Sequence, residues 1–355
     1  MKRKNMNLLF VLLVWLVAPV LGGAPQRLYE GDERTVLRHA DTVADWAMER
    51  GGVAPTGLSP DSALFQGEWD LGACQMTVLG LAQVIEQHPG HQERYLPAVR
   101  ACGSWLASAD SRDFGAQAWG GDELGAAYVG YSALALVRWS QVDPEFPVQA
   151  ELDAMVAALA LHLDEEPHRW ETYPGQTYPP DLAVCAAALA QAGGHEERLG
   201  AWLLRFRAES IDPETGLLIQ SLSPMTGAAM GLPRASGTSF AVYFLSFADP
   251  QLSASLYRSL QGQQRHLGPF GGVREFPPGV QSLGDIDSGP VILGIGVSPT
   301  GFSLAGARLH RDRRAYVRNL RTARLFGVPV PSRGGRWYAT GGGLGNAILL
   351  AMSTA

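Results

Sequence analysis

The sequence predicts an all-α protein, a closed (α/α)6 toroid of six helical hairpins. Three observations support this fold: twelve segments have helical character, two kinds of helix alternate, and the connections alternate between long and short. Amphipathic helices face solvent on one side, whereas helices that are apolar all round are buried on all sides. The alternation therefore predicts an inner ring of helices surrounded by an outer ring.

The two predicted rings differ in composition. The outer helices carry Arg and Glu on one face; they are Thr35–Arg50, Glu93–Ala109, Val148–Leu163, Glu196–Ser210, Gln251–His266 and Asp312–Phe326. The inner helices are rich in Gly, Ala, Ser, Leu and Val; they are Trp69–Gln87, Asp122–Trp139, Asp181–Ala192, Ser236–Phe247, Ser288–His310 and Gly342–Met352. A helix-pair repeat of about 50 residues indicates a helical array.

The connections fix how these helices are arranged. Inner helices lead into outer ones through short links such as Pro89-Gly90, Gly193-Gly194 and Asp249-Pro250, whereas outer helices lead into inner ones through long loops. Short links force antiparallel hairpins, so all the long loops are expected on one face. An open solenoid needs polar caps on its terminal repeats, but the last helix is as apolar as the middle ones. We therefore predict a closed ring in a single domain, residues 25–355.

The N-terminus resembles an export signal. Basic residues in Met1–Lys4 precede an apolar stretch from Leu8 to Leu21, and Gly22-Gly23-Ala24 offers small residues for cleavage. We predict a signal peptide over residues 1–24 and a periplasmic or secreted protein. An uncleaved membrane anchor is the alternative, although the stretch is shorter than the ~20 residues that cross a bilayer.

Composition narrows the partners. The formal net charge of −6 argues against a nucleic-acid partner or an anionic membrane surface, so membrane contact is expected only through the N-terminal segment. Cys74, Cys102 and Cys185 form no CxxC pair and are expected to pack in the core. HExxH, P-loop, Rossmann and GxSxG motifs do not occur in the sequence, so we expect neither a metal nor a cofactor. A small molecule or a glycan is the expected partner, and homo-oligomerisation is left open.

Carboxylates cluster where the predicted inner helices begin, at Glu68, Asp70, Asp181, Asp285 and Asp287. Helix N-termini present unpaired N–H groups and partial positive charge. Aspartate is also among the best N-cap residues, so each residue alone is consistent with a capping role. Asp285 and Asp287 lie only two residues apart, and one of them suffices for a cap. We therefore predict Asp287 as the principal acid–base residue, with Asp285 capping or orienting.

Aromatic side chains occur in the same long loops and helix starts. Such rings line ligand sites and stack on sugars, although they can equally close the mouth of the ring as core. We predict that side chains from several hairpins bind substrate, namely Glu68, Trp69, Asp70, Tyr128, Trp170, Tyr173, Trp337 and Tyr338. We expect ten of the predicted site residues to converge on one cavity. They are Glu68, Trp69, Asp70, Tyr131, Tyr173, Tyr178, Asp181, Asp285, Asp287 and Trp337.

Four segments carry a family resemblance: Ile211–Gly216, Tyr128-Val129-Gly130-Tyr131, Tyr178–Leu189 and Asp285-Ile286-Asp287. They resemble segments of the linalool dehydratase/isomerase family, an exported (α/α)6 enzyme fold. In that family a histidine follows Tyr-x-Gly and a cysteine aligns with Leu182. This chain instead has Tyr131 at the first position, and Cys185 lies nearly one turn beyond the second.

The resemblance implies a cofactor-independent acid–base enzyme that acts on a hydroxylated small molecule, a hydro-lyase or isomerase. Asp287 and Asp181 would form the acid–base pair, while Tyr131 and Tyr178 would donate hydrogen bonds to the substrate oxygen. Two alternatives remain open at this point. One is a glycan-processing enzyme such as a glycoside hydrolase, because (α/α)6 rings host many of these. The other is a non-catalytic glycan- or lipid-binding protein in which the carboxylates are caps.

Overall fold

The computed structural model describes residues 22–49, 63–119, 124–280, 282, 284–285, 288–332 and 335–355. Fourteen α-helices lie in this part of the chain. In order they are α1 Ala24–Tyr29, α2 Glu33–Glu49, α3 Ala63–Gln87, α4 Gln92–Leu106, α5 Ala109–Trp119, α6 Ala126–Val142, α7 Gln149–Leu161, α8 Pro179–Ala192, α9 Glu196–Ser210, α10 Ala235–Ala248, α11 Pro250–Gln263, α12 Val297–Leu309, α13 Arg313–Gly327 and α14 Gly342–Thr354.

Six helices form a closed inner ring. Helix α3 packs on α6, α6 on α8, α8 on α10, α10 on α12, α12 on α14, and α14 returns to α3. The outer helices α2, α4, α7, α9, α11 and α13 pack around this ring. Residues buried in the inner helices belong to one hydrophobic cluster that extends from Leu28 to Met352. The predicted all-α (α/α)6 fold is confirmed.

Polar contacts between side chains close the ring at the C-terminal ends of its inner helices. The hydroxyl of Tyr243 on α10 donates to Oε1 of Gln83 on α3, at 2.8 Å, across the ring. Gln83 Nε2 also donates to Thr354 on α14, at 2.9 Å. Nearby, the guanidinium of Arg138 on α6 pairs with Glu86 at 2.5 Å. The inner helices are therefore parallel, and their N-terminal ends share the opposite face.

Short strands form where the sequence predicts helix. Strands β1 Gln264–Leu267, β2 Phe270–Arg274, β3 Val291–Ile292 and β4 Ile295–Gly296 make an antiparallel sheet in the order β1-β2-β4-β3. The predicted helices Gln251–His266 and Ser288–His310 are therefore too long at these ends. Gly268 and Gly294 adopt positive φ between the paired strands, which ends the helical pattern locally. Strands β5 Pro329–Ser332 and β6 Gly335–Tyr338 form a hairpin.

Two further boundaries differ from the prediction. Helix α5 occupies Ala109–Trp119, which the sequence predicts as a loop. Helix α3 begins at Ala63 rather than Trp69, so Asp70 lies within the helix and does not cap it. A carboxylate just before an apolar run can therefore mark the start of a helix or lie inside a helix that begins earlier, and the sequence pattern does not distinguish the two.

The predicted export signal lies mostly outside the described residues, which begin at Gly22. Helix α1 follows at once and is anchored to the ring, because Arg308 of α12 donates to the carbonyl oxygen of Leu28 at 2.8 Å. Among the described helices, none combines the length and the apolar character needed to cross a bilayer. The signal peptide, the anchor alternative, the single domain and the location of the protein all stay predictions.

Candidate functional site

Tyr131 and Asp181 form the centre of the candidate site, at the end of the ring where the inner helices begin. Tyr131 lies on α6, and its hydroxyl donates to Oδ1 of Asp181, in the first turn of α8, at 2.8 Å. The Tyr131 ring stacks on Phe240 of α10, with ring centroids 6.0 Å apart. Phe240 in turn meets the edge of Phe302 on α12, at 5.1 Å. Four adjacent inner helices therefore supply side chains to one polar group with an apolar wall.

Negative charge surrounds the Tyr131 hydroxyl. Burial raises its pKa well above the usual value, and the charge of Asp181, the hydrogen bond to Asp181 and the charge of Glu68 raise it further. Tyr131 is therefore a neutral hydroxyl that donates to a carboxylate. Glu68 lies on α3 and Asp181 on α8, so carboxylates of the two inner helices that pack against α6 both act on the pKa of the Tyr131 hydroxyl. We call Glu68, Tyr131 and Asp181 the carboxylate cluster.

Tyr173 and Tyr178 border this cluster from the loop that precedes α8. Their rings meet edge to face, with centroids 6.4 Å apart, and Tyr173 contributes to the raised pKa of Tyr131. The Tyr178 hydroxyl donates to the side-chain oxygen of Gln176 in the same loop. The two aromatic rings are only partly buried. They provide flat apolar surface beside the carboxylates, the kind of surface on which sugar faces stack.

Arg234 organises a second polar group at the same end. It immediately precedes α10 and donates from Nε to Oε1 of the fully buried Glu275 at 2.9 Å. Its two terminal nitrogens donate to the two carboxylate oxygens of Asp285 at 2.6 and 2.9 Å. Close packing of Gly237 against Pro180 places the start of α10 beside the start of α8, which carries Asp181.

The two carboxylates of this network have pKa values shifted in opposite directions. Burial raises the pKa of Glu275, against the hydrogen bonds from Ser236 and Arg234. Burial would also raise the pKa of Asp285, but the hydrogen bonds from Arg234 and Ser288 outweigh it and lower the pKa to about 2. Asp285 also accepts from the backbone N–H of Ser288 at 2.9 Å, and the Ser288 hydroxyl accepts from the N–H of Asp285. Asp285 thus holds its own loop in place.

Asp70 is a carboxylate of a different kind. It lies two residues after Glu68 and therefore about 200° around the helix, on the side of Cys74, whose pKa its charge helps to raise. Burial raises the pKa of Asp70 to about 6, although the hydrogen bond from Gln66, at 2.9 Å, lowers it. Asp70 is therefore half-buried and partly protonated near neutral pH, away from Tyr131.

This shift predicts how stability depends on pH. The folded-state pKa of Asp70 exceeds the unfolded value, so its ionisation destabilises the fold progressively as pH rises from about 4 through 6. We expect Asp70→Asn to raise the melting temperature at pH 8, with a gain that disappears toward pH 4. Thermal unfolding of both proteins across this range measures the effect. A constant difference at every pH would contradict it.

Several predicted substrate-binding aromatics pack in the interior instead. Trp170 is 3 % exposed, stacks on His162 and meets Trp202 edge to face. The buried Tyr128 hydroxyl lies 3.2 Å from Ser111, and buried Tyr338 is held by Asn346, which accepts from its N–H at 2.9 Å. The structure buries all three side chains, and their predicted role in substrate binding stays a prediction.

The remaining predicted residues are placed differently again. Trp69 is partly buried on α3, and Trp337 is partly buried on β6, whose hairpin packs on α2. Asp287 lies outside the described residues, so its predicted role as principal acid–base residue stays a prediction. Within the described ranges, no group of three His, Cys, Asp or Glu side chains is arranged to hold a metal ion.

Arg234, Glu275 and Phe240 are not among the residues that the sequence predicts for the site. Arg234 and Glu275 are 41 residues apart, and nothing in either local pattern marks them as partners. One signal was available: an arginine directly before an otherwise uncharged inner helix needs a counter-charge. Phe240 lies in an apolar run, where no periodicity distinguishes a ring that lines the site from one in the core.

The chain was compared with known proteins. No protein-family model and no curated protein matches it. Solved structures of glycoside hydrolase family 76 match its fold. An inactive variant of the GH76A α-1,6-mannanase of Salegentibacter sp. HEL1_6, in complex with α-1,6-mannotriose, has a TM-score of 0.55 at 12 % identity, covering 91 % of this chain and 99 % of that one.

Two further structures give the same result. The unmutated Salegentibacter mannanase has a TM-score of 0.54 at 13 % identity, again covering 91 % of this chain and 99 % of that one. A family 76 α-mannanase of Bacteroides thetaiotaomicron has a TM-score of 0.50 at 12 % identity, covering 80 % and 84 % of the two chains. At such identities the likeness shows the shared (α/α)6 fold alone.

These matches correct the resemblance to the linalool dehydratase/isomerase family, and with it the hydro-lyase or isomerase function. Two of the segments behind that resemblance contain residues with turn or packing roles. In Ile211–Gly216, Asp212 accepts from the N–H and hydroxyl of Thr215, and Gly216 completes the turn with positive φ. A Cβ at Gly130 would lie 2.5 Å from Sγ of Cys185, so this glycine permits close helix packing. Turn and packing residues recur in helical rings whatever their chemistry.

Proposed function

We propose that the protein is a glycan-processing enzyme of the glycoside hydrolase type, which binds an oligosaccharide at the end of the ring where the inner helices begin. The observation that carries the proposal is the carboxylate cluster, in which Asp181 accepts from the Tyr131 hydroxyl at 2.8 Å and the charge of Glu68 acts on the same hydroxyl. Glycoside hydrolysis requires two carboxyl groups on either side of the scissile bond, one to protonate the leaving oxygen and one to act as base or nucleophile.

Each side chain has a proposed role. Asp181 accepts a hydrogen bond from Tyr131 at 2.8 Å and is the proposed base or nucleophile. Glu68, whose charge acts on the same hydroxyl from α3, is the proposed proton donor. Tyr131 fixes the rotamer of Asp181, since its ring is held against Phe240. Tyr173 and Tyr178 supply the aromatic platform for a sugar ring.

The structural neighbours support a glycan ligand. Two of the Salegentibacter mannanase structures contain α-1,6-mannotriose or α-1,6-mannotetrose, and each match covers 91 % of this chain. One difference limits the parallel. The neighbour is inactivated by replacing two consecutive aspartates, and this chain contains no two consecutive aspartates. This difference favours a second candidate, a non-catalytic glycan-binding protein.

One experiment separates the two functions. The purified protein is incubated with α-1,6-mannotriose, α-1,6-mannotetrose and unrelated α- and β-linked oligosaccharides, and new reducing ends are measured alongside calorimetric binding. We expect saturable release of reducing ends from at least one oligosaccharide. Binding without release would replace the enzyme proposal by the binding protein. Neither binding nor release across the panel would contradict both.

A further inference from the structure

Cys74 and Cys102 lie side by side in the first hairpin of the ring. Cys74 is on inner helix α3 and Cys102 is on outer helix α4, and the two helices pack against each other. Sγ of Cys74 is 2.8 Å from Sγ of Cys102, and both side chains are fully buried. Unbonded heavy atoms pack at roughly 3.5–4.0 Å. The two sulfurs are therefore closer together than unbonded atoms normally pack.

From this geometry we propose that Cys74 and Cys102 form a disulfide bond that links α3 to α4 below the carboxylate end of the ring. Each cysteine loses its thiol hydrogen, and the two sulfurs share the new bond. An external disulfide, either a small molecule or a thiol–disulfide oxidoreductase, accepts the two electrons and two protons through a mixed disulfide and leaves as two thiols. The proposal is independent of the proposed glycan activity.

The surroundings of the pair determine when the bond forms. The attacking species is a thiolate, but burial raises the pKa of Cys74 well above its usual value, and Cys102 and Asp70 raise it further. The thiols of the folded protein are therefore poor substrates for oxidation. The bond must form during folding, before the packing of α3 against α4 buries both thiols. Once formed, it is out of reach of reductants. The predicted export route would expose the folding chain to an oxidising compartment.

The third cysteine supplies a matched control. Cys185 on α8 is equally buried, but its Sγ donates to the carbonyl oxygen of Ala126 at 3.3 Å rather than facing another thiol. It lies against Gly130 of the neighbouring helix α6. All three cysteines are thus buried within helices, and only Cys74 and Cys102 have a sulfur partner.

Counting thiols tests the proposal. The full chain is produced with its own leader in a bacterial periplasm, and a second sample is refolded from denaturant with a glutathione redox pair. Both are denatured, alkylated with or without prior reduction, and weighed intact. We expect one alkylated thiol without reduction and three after reduction. Cys185→Ala should give none and two, whereas Cys74→Ala and Cys102→Ala should each give two under both conditions.

A stability measurement distinguishes a disulfide from two packed thiols. Each protein is reduced in denaturant and then refolded without reductant under non-oxidising conditions. We expect this treatment to lower the melting temperature of the wild type and of Cys185→Ala, but not that of Cys74→Ala. The thiol count of the wild type does not depend on whether any variant folds. Three alkylated thiols in the unreduced wild type from both the periplasm and the glutathione refolding would overturn the proposal.

Discussion

Asp181→Asn is expected to lower turnover about 10²- to 10⁴-fold, the usual contribution of a placed proton-transfer group. Asparagine keeps the size of the side chain and can still accept from Tyr131, but it cannot exchange a proton or form a glycosyl ester. Steady-state kinetics on the oligosaccharide found by the panel measures the change. Substrate binding should be largely retained, because the loss concerns the reaction and not the aromatic platform.

Folding must be separated from this effect. Asp181 lies in the first turn of α8, where a carboxylate contributes roughly 0.3–1 kcal/mol, so circular dichroism and thermal unfolding should show only a small change. Tyr131→Phe serves as the matched variant, since it removes only the hydrogen bond at 2.8 Å and should reduce turnover less. Full activity of Asp181→Asn would show that the carboxylate is structural.

Arg234→Met is expected to destabilise the fold by about 3–5 kcal/mol, the cost of leaving a buried charge without its partner. Glu275 is fully buried and would lose the cation that lies 2.9 Å from its carboxylate. The loop that carries Asp285 would lose its bidentate anchor as well. Denaturant unfolding at neutral pH measures the difference in the free energy of unfolding.

A double substitution shows whether charge is the cause. Arg234→Met combined with Glu275→Gln removes both the cation and the buried anion, so it should recover a large part of the loss. Asp285 keeps its hydrogen bond from Ser288 in either variant. If the free energy of unfolding of Arg234→Met lay within about 1 kcal/mol of the wild-type value, the role assigned to this network would be contradicted, since about 1 kcal/mol is the ordinary effect of a point mutation.

Local patterns gave the fold of this protein. Helical periodicity, the apolar composition of alternate helices and the short inner-to-outer links are properties of neighbouring residues, and they sufficed to predict a closed ring with its long loops on one face. The predicted outer helix Glu196–Ser210 agrees with the structure residue for residue. The same patterns failed at a short hairpin, where Gln264–Leu267 pairs with Phe270–Arg274 across a glycine turn instead of continuing the helix.

The candidate site depended on contacts that no local pattern contains. Tyr131 and Asp181 are 50 residues apart, and the sequence alone proposed both without indicating that they touch. The same reasoning chose Trp170, which the path of its loop carries into the core, and passed over Arg234. Which side chains meet depends on the rotation of each helix about its axis, and packing of the whole ring determines that rotation. The sequence by itself therefore determined the ring and the face on which the helices begin, whereas only the tertiary structure decided which carboxylate accepts from the Tyr131 hydroxyl.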